Sequence, residues 1–133
     1  MSAKFMDMSN QGFKELMAYK KAFQLANDIY DVTLKFPKEE KYSLTDQIRR
    51  SSRSVCANLA EAYRKRDYPK HFFLKLTDCQ GENSETLVWL DFALQYKYIQ
   101  FEEYNRLIEL NNEVGKLLNY MMNNPEKFSV SPL

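Results

Sequence analysis

Apolar residues recur at three- and four-residue steps along most of the chain, and Gly and Pro hardly interrupt them between residues 13 and 124. That spacing predicts helices throughout. A first helix, over about 13–36, carries Ala22, Leu25, Ile29, Val32 and Phe36 on one seam and Leu16, Tyr19, Phe23, Ala26, Tyr30 and Leu34 on the next. An apolar face of this width meets two neighbours, as bundle helices do. Lys20, Gln24, Asn27, Asp31 and Lys35 form the solvated side, and Pro37 ends the helix.

After the polar linker KEEKY, Ser43 followed by Asp46 reads as a capping box that opens a second helix, running to about Lys65. Leu44, Ile48, Val55, Leu59 and Ala62 form its apolar stripe, and small residues (Ser51, Ser52, Ser54, Ala57, Ala60) allow close helix approach. Asp67 is the expected cap of a third helix, whose first turn tolerates Pro69 and which runs to about Tyr96. Its inner stripe holds Phe72, Leu76, Cys79, Thr86, Trp89, Leu90 and Ala93. A short turn leads to a fourth helix over about 101–123, with Tyr104, Leu107, Leu110, Val114, Leu117 and Met121 facing inward before Pro125 stops it. The pattern predicts an all-α fold: an up-down-up-down antiparallel four-helix bundle over residues 13–124. Residues 1–12 are expected to be a flexible N-terminal segment and 125–133 a C-terminal tail whose last residues, SVSPL, fray.

Composition narrows the classes. A chain of 133 residues with 44% hydrophobic and 28% charged residues, 3 Gly, 4 Pro and 2 Cys is one domain. It can bury roughly two-thirds of its unfolded surface without disulfides or a structural metal. Collagen, disordered and disulfide-scaffold classes are excluded. The opening MSAKFMDMSNQGF lacks a secretory pattern, so a cytoplasmic protein is expected. No run of ~20 apolar residues is present to span a bilayer, and no membrane partner is expected. Cys56 and Cys79 have no CxxC partner and read as small buried apolar residues.

The total charge of +1 hides an uneven distribution. Residues 44–66 hold Arg49, Arg50, Arg53, Arg64, Lys65 and Arg66 against Asp46 and Glu61, whereas residues 101–124 are net acidic. Arginine-rich helices bind phosphate backbones, which makes Arg49, Arg53, Arg64, Lys65 and Arg66 candidate nucleic-acid contacts. The alternative is that the arginines pair with carboxylates of neighbouring helices or subunits, as surface cations commonly do.

Glu82 and Glu85 lie one turn apart on the side of the third helix that carries Trp89 and Phe92, so they are expected to point towards the core and to need donors there. A di-iron bundle requires Glu-x-x-His pairs, and the single histidine, His71, belongs to none. No metal or cofactor is expected. No nucleophile, phosphate-binding loop or catalytic constellation is evident either, so a non-enzymatic role is expected. The expected polar network joins Arg50, Arg53, Asn58, Glu61, Glu82 and Glu85. A second–third helix hairpin centred between Asp67 and Tyr68 brings residues whose numbers sum to about 135 to one height. Arg50 then meets the level of Glu85, and Arg53 that of Glu82. At least one of these arginines is expected to contact Glu82 or Glu85 across the helix interface, so that Glu85→Ala strands a charge and costs roughly 3 kcal/mol.

Taken together, LMAYKKAFQLANDIYDVTLKFPKEEKYSLTDQIRRSSRSVCANLAEAYRK and FFLKLTDCQGENSETLVWLDFALQYKYI resemble the small bacterial four-helix-bundle proteins encoded in intervening sequences of 23S ribosomal RNA genes. The specific pieces are Phe36-Pro37 with Glu40, the segment 47–50, Asn58 with Glu61, Gly81 with Glu85, and Tyr98-Ile99. Ala62 and Glu82 stand where the family often has Gly and Ser. A related member, the accessory protein of diversity-generating retroelements, is a pentamer that binds nucleic acid and a reverse transcriptase. The resemblance thus implies a homo-oligomer of five subunits and, as a partner, RNA or a nucleic-acid-processing protein. The wide apolar face of the first helix independently predicts a closed homo-oligomer. The function expected is an oligomeric scaffold or adaptor that binds RNA through its basic second helix. The alternative is a protein-interaction module that binds no nucleic acid.

Overall fold

The computed structural model describes residues 11–130. Four helices carry the fold: α1 (Met17–Thr33), α2 (Leu44–Arg64), α3 (Pro69–Gln95) and α4 (Phe101–Asn123). Short 3₁₀ turns occupy Gly12–Glu15, Lys38–Glu40 and Pro125–Lys127. Each helix packs against two others, in the ring order α1, α2, α3, α4 and back to α1. Cross-helix pairs fix the antiparallel sense. Ser51 meets Thr86 and Asn58 meets Lys75 between α2 and α3, while Asn83 meets Asn111 between α3 and α4.

The interior is divided. Toward the α2–α3 turn, Ala18, Ala22, Val55, Leu59, Phe72, Leu76, Val114 and Leu118 form one buried apolar cluster. At the other end Leu25, Ile29, Val32, Ile48, Leu90, Ala93, Leu107 and Leu110 form a second. Between them lies a belt of buried polar side chains: Ser51, Ser52, Asn83, Thr86 and Asn111. The belt is satisfied internally, as burial requires. The Ser51 and Thr86 hydroxyls lie 2.8 Å apart, and Thr86 also donates to the Glu82 carbonyl at 2.9 Å.

Along the seam that α1 and the turn after it make with α4, ion pairs recur at seven-residue steps: Lys21 with Glu113 at 3.1 Å, Asp28 with Arg106 at 3.5 Å and Lys35, just past α1, with Glu103 at 3.1 Å. A seven-residue step returns to the same side of a helix after two turns, so the three pairs line one edge. Two of the acidic residues of α4, Glu103 and Glu113, are thereby neutralised.

Several expected helix ends differ. α1 starts at Met17, because Leu16 is extended (ψ 133°) after the 3₁₀ turn. It closes at Thr33, after which Leu34, Lys35 and Phe36 donate to carbonyls three residues back. Pro37 disfavours α conformation in the residue before it, which accounts for the tightened end. Ser43 caps nothing: its hydroxyl donates to Glu40 Oε1 at 2.6 Å, and the Leu44 amide donates to the same oxygen at 3.3 Å. A charged carboxylate is the stronger acceptor, so Glu40 replaces the expected box. The capping box that does form joins Gln100 and Glu103 at the start of α4. Asp67 likewise does not cap α3; its Oδ1 accepts from Ser129 Oγ and the Val130 amide, both at 2.7 Å. The segment expected to fray is thus held as far as Val130, with Phe128 packed on Phe72 and Tyr120. The expectation for residues 1–10 and 131–133 lies outside the described residues.

Candidate nucleic-acid interface

α2 presents its cations on two sides. On the α3 side, Arg50 donates to Glu85 Oε1 and Oε2 at 2.9 Å and to Glu82 Oε2 at 3.3 Å. Both carboxylates keep some exposure, with side chains 22% and 27% exposed, and the Arg50 side chain is 50% exposed. They face a solvated seam and not the core. Asn58 and Glu61 join this seam through a residue that sequence reasoning missed, Lys75. Its Nζ donates to Asn58 Oδ1 at 2.9 Å and lies 3.0 Å from Glu61 and 3.6 Å from Asp78. The bond to Glu61 is the main reason the Lys75 ammonium is held above its usual pKa.

Arg53 leaves the expected network. A step of three residues rotates a side chain by about 60° relative to its starting face. Arg53 therefore turns from α3 toward α1, where its guanidinium lies 5.9 Å from the centre of the Tyr30 ring. Arg49 lies over the same ring at 4.6 Å, and its Nε donates to Thr33 Oγ1 at 2.8 Å. Tyr30 is 41% exposed, so its place on an apolar seam gave no sign that it would carry two guanidinium groups.

Lys41, Thr45, Arg49 and Arg53 follow one another at four-residue steps along a groove of about 650 Å³ on α2, with Asp46 also in its lining. Lys41, Arg49 and Arg53 make no ion pair among the described residues. Thr45 is buried, and its hydroxyl has no hydrogen-bond partner there. Arg64 and Lys65 are exposed beside His71 and Tyr68 in a second groove at the α2–α3 turn, and they too make no ion pair among the described residues. Arg66 is drawn away from this surface. Its Nη1 donates to the Tyr63 carbonyl at 2.8 Å, and its guanidinium sits 3.9 Å from the Tyr63 ring centre.

Burial pushes the Cys56 thiol up to about 11 and the Cys79 thiol to about 12, so both stay protonated and unreactive near neutrality. Among the described residues, no three His, Cys, Asp or Glu side chains converge as metal ligands, and no helix is long and apolar enough to cross a membrane.

The residues that carried the resemblance now fall into two physical groups. Phe36, Glu40 and Tyr98 meet at one end of the bundle: the Tyr98 hydroxyl donates to Glu40 Oε2 at 2.9 Å, and the Phe36 and Tyr98 rings lie 5.3 Å apart. Arg50, Asn58, Glu61 and Glu85 line the α2/α3 seam. A solved protein of unknown function from the S23 ribosomal protein family of Bacteroides thetaiotaomicron VPI-5482 shares the fold, with a TM-score of 0.70 and 27% identity over 80% of this chain and 98% of that one. No match was found among curated proteins. Residues 14–120 match the family described as 23S rRNA-intervening sequence protein, a stretch that includes all four helices nearly entire, and the chain belongs to that family.

Proposed function

We propose that this protein is a non-enzymatic, homo-oligomeric scaffold of the cytoplasm that binds RNA, or other nucleic acid, along the outer side of α2. The observation that carries the reading is the row Lys41, Arg49 and Arg53, in line with Thr45 and without carboxylate partners among the described residues. Cations already neutralised within the fold gain little from a phosphate, whereas unpaired ones release counterions from a polyanion on contact. Arg64 and Lys65 extend the basic surface toward the α2–α3 turn, and Ala57 and Ala60 between them leave α2 low enough for a backbone to lie against.

Assembly is supported by apolar side chains that one chain leaves uncovered, among them Phe23, Leu34, Leu74, Val88, Phe92 and Tyr96. Their number exceeds what isolated surface hydrophobes account for, so a second copy is the simplest cover. The family resemblance implies five subunits. Light scattering at micromolar concentration tests this, and a monomer would count against it.

The deciding experiment is a salt titration of RNA affinity. Each phosphate neutralised contributes a slope of about −0.7 to −0.9 in log K against log salt. A steep slope that flattens in the Arg49→Glu/Arg53→Glu variant supports the reading; a flat response in the unmodified protein overturns it. The second reading, a protein-interaction module, is favoured by one observation, the neutralisation of Arg50 by Glu82 and Glu85. It prevails if the charge reversals dissociate the assembly and RNA is never bound.

A further inference from the structure

Exposed apolar side chains gather on two faces of the bundle. One is a groove of about 430 Å³ between α1 and α2, where the half-exposed rings of Phe23 and Tyr30 share the lining with the smaller Ala26 and Cys56. The other is the outer line of α3. There Leu74, Gly81 and Val88 follow one another at seven-residue steps, with Phe92 one turn further on, and all four are exposed. In the ring order of the helices α3 stands diagonally across from α1, so neither face can cover the other within one chain.

The two faces complement one another in shape. Phe23 and Tyr30 repeat at the same seven-residue step as the α3 line, ~10.5 Å along a helix, which is the condition for two helices to interlock along a shared line. A Cβ added at Gly81 would meet nothing within 4 Å, so α3 has a notch between Leu74 and Val88 that admits a projecting ring. They also complement one another in charge. From Leu76 to Tyr96 the chain holds Asp78, Glu82, Glu85 and Asp91 and no Lys or Arg, whereas the α1/α2 groove is lined by Arg53 and by no carboxylate. Arg50 neutralises Glu82 and Glu85, which leaves Asp78, shared with Lys75, and Asp91, bonded to the Tyr104 hydroxyl, as the acids of the outer rim. Opposite charges placed in this way select a partner and fix its orientation.

We infer that the outer face of α3 in one copy seats on the α1/α2 groove of the next, a head-to-tail contact that repeats until a ring closes. A face that pairs with its own equivalent closes a dimer and leaves the other face bare. When unlike faces pair, every added copy brings both halves of a new contact, and a closed ring leaves neither face exposed. Self-pairing of α3 would also set its rim acids against one another, which costs free energy that the acid-free groove avoids. The contact accounts for α3 being apolar on its outer line as well as its inner one, a pattern that belongs to a helix covered on all sides. Lys41 and Arg49 line the neighbouring basic groove and lie outside this one. This inference rests on the homo-oligomer reading above and adds which faces meet.

The test uses two variants of the whole chain, Phe23→Glu in the groove and Val88→Glu on α3, each sized by light scattering alone and then mixed. Each alone is expected to be a single chain, because it lacks one half of the contact. An equimolar mixture is expected to give a pair of chains and nothing larger, because only the intact groove of one variant and the intact α3 face of the other can meet. Two carboxylates cannot rescue one another, so the altered faces stay apart. Thermal melting checks that each variant folds, as expected for positions 52% and 46% exposed. Tyr30→Glu and Leu74→Glu, on the same two faces, replace any variant that does not fold. An assembly retained by either variant alone overturns the inference, and so does a mixture that stays as single chains; in both cases the homo-oligomer reading stands. If the unmodified protein is itself a single chain, both readings fall together.

Discussion

Asn83 and Asn111 hold one another across the α3/α4 interface. Each side-chain amide donates to the other's main-chain carbonyl at 2.9 Å, and Asn111 also donates to Asn83 Oδ1 at 3.0 Å. Both residues are at least 95% buried. Removing one side leaves buried polar groups without partners, so Asn111→Ala is expected to cost about 2–3 kcal/mol. Urea denaturation measures this. A loss below ~0.5 kcal/mol would mean that water reaches the site.

The Arg50–Glu85 pair is worth less than a buried pair. With half of the Arg50 side chain in solvent, screening reduces the gain, and Glu85→Ala should cost about 1 kcal/mol instead of the 3 expected for a stranded charge. A double-mutant cycle with Arg50→Ala isolates the coupling. The coupling should shrink as salt is raised, and a salt-independent value would contradict this account.

The end of α3 contains a strained residue. Lys97 has φ 64°, while the Lys97 amide donates to the Leu94 carbonyl and the Tyr98 amide to the Ala93 carbonyl, the two bonds of a Schellman cap. Glycine adopts that conformation without steric cost. Lys97→Gly should therefore raise stability by about 0.5–1 kcal/mol, read as a higher melting temperature. A decrease would show that the lysine side chain makes a compensating contact.

Acid should loosen both ends of the linkers. The Ser43 hydroxyl foremost, then that of Tyr98, holds the Glu40 carboxyl below its ordinary 4.5. The Gln100 amide does the same for Glu103, with help from Lys35. A carboxyl with a lowered pKa in the folded state binds fewer protons there than in the unfolded chain. Its stabilisation is complete above about 4.5 and is lost as pH falls through the folded value. The urea midpoint should thus fall in acid, and Glu40→Gln and Glu103→Gln should each flatten that limb. Unaltered acid limbs in both variants would refute the assignment.

Most of the architecture was legible because buried stripes obey one period. Leu44, Ile48, Val55, Leu59 and Ala62 all proved buried, and α4 begins and ends where its pattern and Pro125 require. The hairpin argument also brought Arg50 to Glu85, because height along a helix depends only on residue count. It failed for Arg53, where height was right and angle was not. Ser43 and Asp67 were misread for another reason. Capping is a contest among nearby acceptors and donors, and Glu40 and the 129–130 segment compete only once the chain is folded. Tyr30 and Lys75 carried no distinguishing pattern, since an aromatic on a seam and a lysine on a helix are each commonplace.

The polar belt at mid-height has a consequence for how the helices can slide. Long stripes of Leu, Ile and Val are nearly interchangeable from one heptad to the next, and a helix displaced by seven residues along its axis, ~10.5 Å, would still bury grease on grease. Here such a shift would drive Asn83 or Asn111 into one of the flanking apolar blocks and abandon the partner amide. Each misalignment therefore carries its own desolvation penalty. The belt works like the notch of a key: it adds little to the depth of the native minimum but makes every neighbouring tooth position shallow, so that α2, α3 and α4 always arrive with the same residues side by side.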